Sequence, residues 1–276
     1  IMLTKKNSFI NKKLIVAYLC SRYVSINSLD NFITNYMKFD AEHDHRLIIC
    51  FKNLTSEEIK VRKKKLLNTK CDYFIDYEKK NDFEWGTLKR LCQEHDNDIF
   101  WLHDHSYPRV KGWLRKVAEI FDEKTIVGCS SSFSSHYSNA FYRKKEDTYI
   151  QTVLKIIHYF FLFPKFPNPH LRTTGFLINS SEFLKFIKDK KIDSKIDSFK
   201  IESGYNSLTN FFLKKNFKIK IVNKEGNNFD LEKSKMSETF AFKEKNLNLI
   251  SDNQTREFEN YDEYKKNKKR IQVWGK

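Results

Sequence analysis

"KLIVAYLCSRYVSINSLDNFITNYMKFDAEHDHRLIICF" (residues 13–51) decides the fold class. Its first eight residues, "KLIVAYLC", form an apolar run of strand length, the pattern of a strand covered on both faces. "SLDNFITNYMKF" (28–39) then places Leu29, Phe32, Ile33, Tyr36 and Met37 at helical spacing, and "RLIICF" (46–51) is a second buried strand. Strand, helix and strand in that order build a parallel pair joined by a crossover helix.

The alternation continues outward. "TSEEIKVRKKKLL" (55–67) predicts a helix capped by Thr55 or Ser56, with acids in its first turn. "DYFIDY" (72–77), "DIFWLH" (98–103) and "TIVGCSS" (125–131) read as strands; "FEWGTLKRLCQEH" (83–95) and "KGWLRKVAEIF" (111–121) read as helices. "YIQTVLKIIHYFFLF" (149–163) predicts a further helix. "PKFPNPH" (164–170) gathers three of the four prolines into a rigid, irregular loop. "TGFLINSSEFLKFIK" (174–188) reads as a short strand and a Ser-capped helix, "SGYNSLTNFFLKKN" (203–216) as a helix and "FKIKIV" (217–222) as a strand. A polar segment and a charged helix around 257–273 close the chain, and no internal repeat is visible. The expectation is an α/β domain, a mostly parallel sheet with helices on both faces, plus a C-terminal extension.

The 276 residues carry 51 Lys and Arg against 35 Asp and Glu, a formal charge of +16. Only ten of the basic residues are Arg, and Lys arrives with abundant Asn, Ile and Phe, as in an AT-rich coding sequence. The charge favours anionic ligands and surfaces, and nucleic acid is not the expected partner. With 40% hydrophobic and 15% aromatic residues the chain is expected to fold as a globular domain. Cys20, Cys50, Cys71, Cys92 and Cys129 are odd in number, dispersed and without a C-x-x-C pair, so free thiols in a cytoplasmic compartment are expected. No secretory signal pattern is visible. The longest apolar stretch, "TVLKIIHYFFLF" (152–163), is interrupted by Lys155 and His158 and is too short to span a bilayer. The first residue is Ile1 rather than Met, as expected of a piece cut from a longer chain. "VRKKK" (61–65) and "KKNKKR" (265–270) read as solvated helix faces or, more sharply, as weak contacts with an anionic membrane.

Glycine is scarce, seven in all, and neither G-x-G-x-x-G nor G-x-x-x-x-G-K-[ST] occurs. A glycine cradle for phosphate is thereby excluded. The absence of G-x-S-x-G argues against an α/β-hydrolase. Open α/β sheets bind ligands beyond the carboxyl ends of their strands, where strand order reverses. "LHDHSYP" (102–108) puts His103, Asp104 and His105 in that position. Strand alternation would set 103 and 105 on one face and 104 on the other unless the strand has already ended. Imidazole suits Mn²⁺ or Zn²⁺ better than Mg²⁺. Tyr18, Ser21 and Arg22 at the end of the first strand are candidates to cradle a nucleobase and a phosphate. Beyond the proline loop, Arg172 offers a planar fork for phosphate, and His170 is a candidate ligand or phosphate contact.

"LIVAYLCSRY" (14–23), "LHDHSYP" and "IESGYNSLTNFFLKKNFKIKIV" (201–222) stand in the order of a GT-A glycosyltransferase of the family 2 type, which the chain resembles. "NPHLRTTGFLINSSEFL" (168–184), "ESGYNSLT" (202–209) and the tail "LISDNQTREF…VWG" (249–275) resemble a group of bacterial proteins associated with surface-polysaccharide synthesis. The resemblance covers residues 13–275. It implies transfer of a sugar from a nucleoside-diphosphate donor to a glycan or lipid-linked acceptor at the cytoplasmic membrane face, with inversion, usually with Mn²⁺ or Mg²⁺. It places Asp104 at the metal position, Glu202 at the base position, and Asp76 and Asp82 at the nucleobase and ribose; Arg172, read from its planar fork, would neutralise the departing diphosphate. It also divides the chain into a nucleotide-sugar half (1–148), an acceptor-side half (149–250) and a tail (251–276). The departure is His103 and His105 in place of a second acid. Together with His170 they become further candidate ligands, or the site works without metal. Read on its own, Glu202 precedes "SGYNSLT" as a helix-cap acid held ionised by the helix dipole, with Ser203, Tyr205 and Asn206 toward the acceptor. Two other classes stay open: a catalytically silent glycan- or nucleotide-binding module, and a nucleic-acid-binding protein.

Overall fold

The computed structural model describes residues 13–78, 80–142, 148–242 and 247–275. The first half runs β1 (Leu14–Ser21), α1 (Ile26–Lys38), β2 (His45–Lys52), α2 (Ser56–Lys65), β3 (Asp72–Asp76), α3 (Phe83–Glu94), β4 (Asp98–Leu102), β5 (Tyr107–Pro108), α4 (Trp113–Ala118), β6 (Thr125–Gly128), β7 (Ser131–Ser132) and α5 (His136–Asn139). The second half runs α6 (Tyr149–Leu162), β8 (His170–Leu171), β9 (Gly175–Asn179), α7 (Ser180–Ile187), α8 (Lys195–Ser203), α9 (Leu208–Lys214), β10 (Lys218–Val222) and β11 (Asn228–Asp230). A 3-10 stretch (Leu231–Ser237), β12 (Ile250–Ser251), α10 (Asn253–Asn260) and α11 (Glu263–Trp274) complete it.

Eight strands form one sheet in the order β11-β10-β6-β9-β4-β1-β2-β3. β1 pairs parallel with both β2 and β4, so strand order reverses between β1 and β4. The apolar run of β1 is explained by its two faces. Leu14, Val16, Tyr18 and Cys20 pack with Phe32, Trp113 and Leu249; Ile15, Ala17 and Leu19 pack with Trp85, Leu88 and Phe183. A third, smaller apolar cluster lies in the tail, where Phe258, Val273 and Trp274 meet Phe240 and Ala241. All five cysteines are free, and no helix among the described residues is long and apolar enough to cross a membrane.

The expected α/β class and mostly parallel sheet are observed, with four departures in detail. β9 enters antiparallel between β4 and β6. "TIVGCSS" breaks after Gly128, and its end becomes β7, which leaves the main sheet to pair with β8. The helix expected over 203–216 starts only at Leu208, behind a Ser207 cap, and is preceded by an unexpected helix, α8, that ends at Ser203. The charged tail helix is likewise two, with Asp262 capping the second. Thr55 is the cap of α2, in a reciprocal capping box with Glu58.

Candidate active site

β4 ends at Leu102, and His103–Ser106 make a turn in which the Ser106 N–H donates to the His103 carbonyl (2.9 Å). Strand alternation therefore no longer separates Asp104 from its neighbours. Asp104 is 4% exposed: its Oδ2 accepts from the Ser21 hydroxyl at the end of β1 (2.5 Å), and Oδ1 lies 2.6 Å from His103 Nδ1. Beneath the turn Tyr18 donates its hydroxyl to the Asp104 carbonyl (2.7 Å). From α10, Arg256 donates to the His105 carbonyl (3.2 Å). An acid is thus fixed at the crevice between β1 and β4, where an open α/β sheet binds its ligand.

Asp104 opens onto a cleft of about 760 Å³, which Arg172 and Glu202 also line. The Arg172 guanidinium stacks on Phe240, 3.4 Å from the ring centroid. Its Nη2 donates to Asp252 (2.7 Å) and its Nη1 to Ser130 (3.3 Å). Asp252 in turn accepts from Thr174 (2.9 Å) and from the Thr255 N–H (2.7 Å), capping α10. The antiparallel pairing of β12 with β5 delivers this acid: Ile250 faces Pro108 and Ser251 faces Tyr107. Glu202 lies in the last turn of α8. Gly204 permits that ending, because a Cβ there would stand 2.7 Å from the Lys200 carbonyl and 3.1 Å from that of Leu162.

Charge in the cleft is finely opposed. Burial disfavours a charged His103, but the Asp104 carboxylate more than offsets this and carries its pKa to about 9. Burial works against Asp104 as well, yet His103 and the Ser21 hydroxyl hold its carboxyl below the usual range. Glu202 is pushed up by burial against the pull of Arg172, and Glu84, in the first turn of α3, is pushed up by burial too. The helix-dipole expectation for Glu202 is corrected here: it lies at the negative end of α8, and burial raises its pKa. Burial, and then the Arg172 charge, lower the Lys269 ammonium, which reaches the cleft from α11.

Of the residues expected from sequence, Ser21, His103, Asp104, His105, His170, Arg172 and Glu202 line this one cleft. Tyr18 is buried under it, and Arg22 is exposed with its Nε 3.7 Å from Glu58. Asp76 and Asp82 do not themselves line the cleft, but Lys52, which contacts both, does, as do Asn81 and Phe83 on either side of Asp82. Arg90 donates to both Asp76 oxygens (2.7 Å each) and to Asp82 (2.6 Å), while buried Lys52 contacts both acids. Gly86 makes room, since a Cβ would fall 2.0 Å from the Asp82 carboxylate. Three charged cleft residues illustrate what escaped sequence reading. Glu84 resembles any first-turn helix acid, and Lys269 is hidden in a lysine run. Asp252 did carry a signal, an Asp before "NQT" that reads as a helix cap.

A divalent cation would meet one carboxylate here rather than a protein cage. Buried Asp104 Oδ1 lies 2.6 Å from the charged His103 Nδ1, so a metal on that oxygen would have to displace the imidazolium. The imidazoles do not complete a set around it. His103 Nδ1 faces Asp104 as a charged partner, and His170 Nδ1 donates to the Asn168 carbonyl (2.7 Å). No group of three or more His, Cys, Asp or Glu converges among the described residues. A hard cation with one protein carboxylate takes its other ligands from water and substrate phosphates.

No family model and no curated protein matches the sequence. Among solved structures, GalNAc-T7 with UDP, GalNAc and Mn²⁺ is similar at a TM-score of 0.43 and 12% identity, over 69% of this chain and 40% of that one. HddC from Yersinia pseudotuberculosis is similar at a TM-score of 0.37 and 12% identity, over 62% of this chain and 79% of that one. The chain thus spans less than half the length of the GalNAc-T7 chain it matches.

Proposed function

We propose that the chain is a GT-A-like glycosyltransferase that moves a sugar, with inversion, from a nucleoside-diphosphate donor to a glycan or lipid-linked acceptor in surface-polysaccharide synthesis. The supporting observation is that Asp104, Arg172 and Glu202 line one cleft at the strand-order reversal. Glu202 accepts the proton of the acceptor hydroxyl as its oxygen bonds to the anomeric carbon. The carbon–oxygen bond to phosphate breaks, and its electron pair leaves with the diphosphate. Burial makes Glu202 a stronger base than a free carboxylate, provided it is ionised at the working pH. Arg172, pre-oriented by Asp252 and Phe240, faces the charge that builds on the leaving group, and Lys269 adds a second cation. Asp104 is the residue that would hold a Mn²⁺ or Mg²⁺, which would supply neutralisation of phosphate charge. The His103–Asp104 ion pair favours a narrower variant, in which donor binding needs no metal and His103 itself contributes the cation.

Calorimetric titration with UDP and GDP, with Mn²⁺ and with EDTA, tests the reading alongside donor hydrolysis. Wild type should bind a nucleoside diphosphate and turn over its sugar. Glu202→Gln should bind comparably and turn over at least about 100-fold more slowly. Binding without turnover in both proteins would mark a silent module. Binding of neither nucleotide under any condition would sink the assignment.

A further inference from the structure

We infer that the exposed apolar face of α6 is a membrane-docking surface that settles into the interfacial layer of an anionic lipid bilayer. The helix starts in its own capping box, Thr148 with Gln151, and Thr152 is its one buried residue. Tyr149, Ile150, Leu154, Ile157, Phe160 and Phe161 are between 45% and 74% exposed. At 3.6 residues per turn these six fall within an arc of about 140°. Phe141 and Tyr142, just upstream, are also more than half exposed. A continuous apolar stripe turned to water marks a binding surface.

Lipid is the occupant that charge, residue type and position select. From Thr148 to Leu171 the chain carries Lys155 and Lys165 but no Asp or Glu. No acid in this stretch repels an anionic leaflet, and the net charge of +16 draws the molecule toward one. That same charge opposes a second copy of the chain as the covering partner. Half of the six stripe residues are aromatic, the type that partitions at the headgroup level, on a helix flank rather than in a groove. The inward side of α6 meets the cleft wall: Tyr159 contacts His136 edge-on (6.2 Å between centroids), and His136 stacks on Phe199 (4.5 Å). His136 and Phe199 both line the cleft. A seated α6 would hold the mouth beside a lipid-linked acceptor, a consequence that rests on the proposed function; the docking itself does not.

Vesicle co-sedimentation tests this with phosphatidylcholine alone and with phosphatidylcholine plus phosphatidylglycerol. Wild type should partition onto the anionic vesicles. Ile150→Ser/Leu154→Ser/Phe161→Ser should lose about tenfold or more in partitioning with an unchanged melting temperature, since all three side chains are exposed. Phe161→Trp gives an independent reading. The four native tryptophans are at most 4% exposed, so the new indole is the solvent-facing one, and its emission should shift to the blue on anionic vesicles. Equal partitioning of the triple variant, an unshifted emission, or a dimer that the triple variant dissolves with no vesicle binding by wild type would each overturn the inference. Vesicle binding without nucleoside-diphosphate binding would remove the glycosyltransferase reading and leave the docking surface standing. UDP binding without vesicle binding would do the reverse.

Discussion

His170 shows how little solvent the cleft wall admits. It is 6% exposed, donates Nδ1–H to the Asn168 carbonyl, and burial together with the Arg172 charge lowers its pKa to about 4. An unfolded chain restores the ordinary value of about 6.5. Below that value the unfolded state takes up a proton that the folded state refuses. Stability from this group is therefore present above about pH 6.5 and is lost as pH falls toward about 4, at up to about 1.4 kcal/mol per pH unit. His170→Gln removes the titration. Urea midpoints at pH 7, 5.5 and 4.5 should show the wild-type advantage shrinking with acid, and a constant gap would contradict the account. Residue chemistry of this kind was partly legible. "LHDHSYP" marked the turn that carries Asp104, but nothing local shows that His103 becomes its charged partner.

The end of β2 and the start of α3 form a buried ion cage that works as a structural unit. The parallel register sets Lys52 opposite Asp76, and Arg90 closes over both acids. Lys52→Met leaves buried carboxylate charge under-compensated and should cost about 3 kcal/mol in urea unfolding, with part recovered in Lys52→Met/Asp82→Leu. A loss under about 1 kcal/mol would mean that Arg90, with the Thr87 hydroxyl that donates to Asp76 (2.5 Å), suffices. The family resemblance assigned Asp76 and Asp82 to the nucleotide; their contact with Lys52, 24 and 30 residues away, was not legible because it forms only once β2 and β3 pair. Long apolar runs made β1, β2 and β4 legible. α8 was not, because the face it buries includes Asp197, Ser198 and Ser203 and leaves no apolar period to read. The direction of β9 was hidden for another reason: a short apolar strand reads alike either way, and its neighbours alone decide.

The whole molecule is a sheet plus a clasp. The β5–β12 pairing and the cluster around Trp274 hold the tail against the cleft: Trp274 meets Phe133 at a tilt of 57° (5.3 Å between centroids) and donates to the Phe240 carbonyl (2.9 Å). Trp274→Ala should cost about 3 kcal/mol within that cluster. Hydrogen exchange should then report faster exchange in α11 with β1 and β4 unchanged, and nucleoside-diphosphate affinity should fall as Phe240 releases Arg172. Equal loss of protection in β1 would show that clasp and sheet unfold together. The β12 pairing also bears on biosynthesis. Ribosomes emit Leu249–Trp274 after every other described segment except Gly275, so Asp252, Gln254 and Lys269 join the wall last. A nascent or nonsense-truncated product ending before Leu249 would own the eight-stranded sheet and the Asp104 turn, but not β12, and its Arg172 would lack Asp252 as counter-ion.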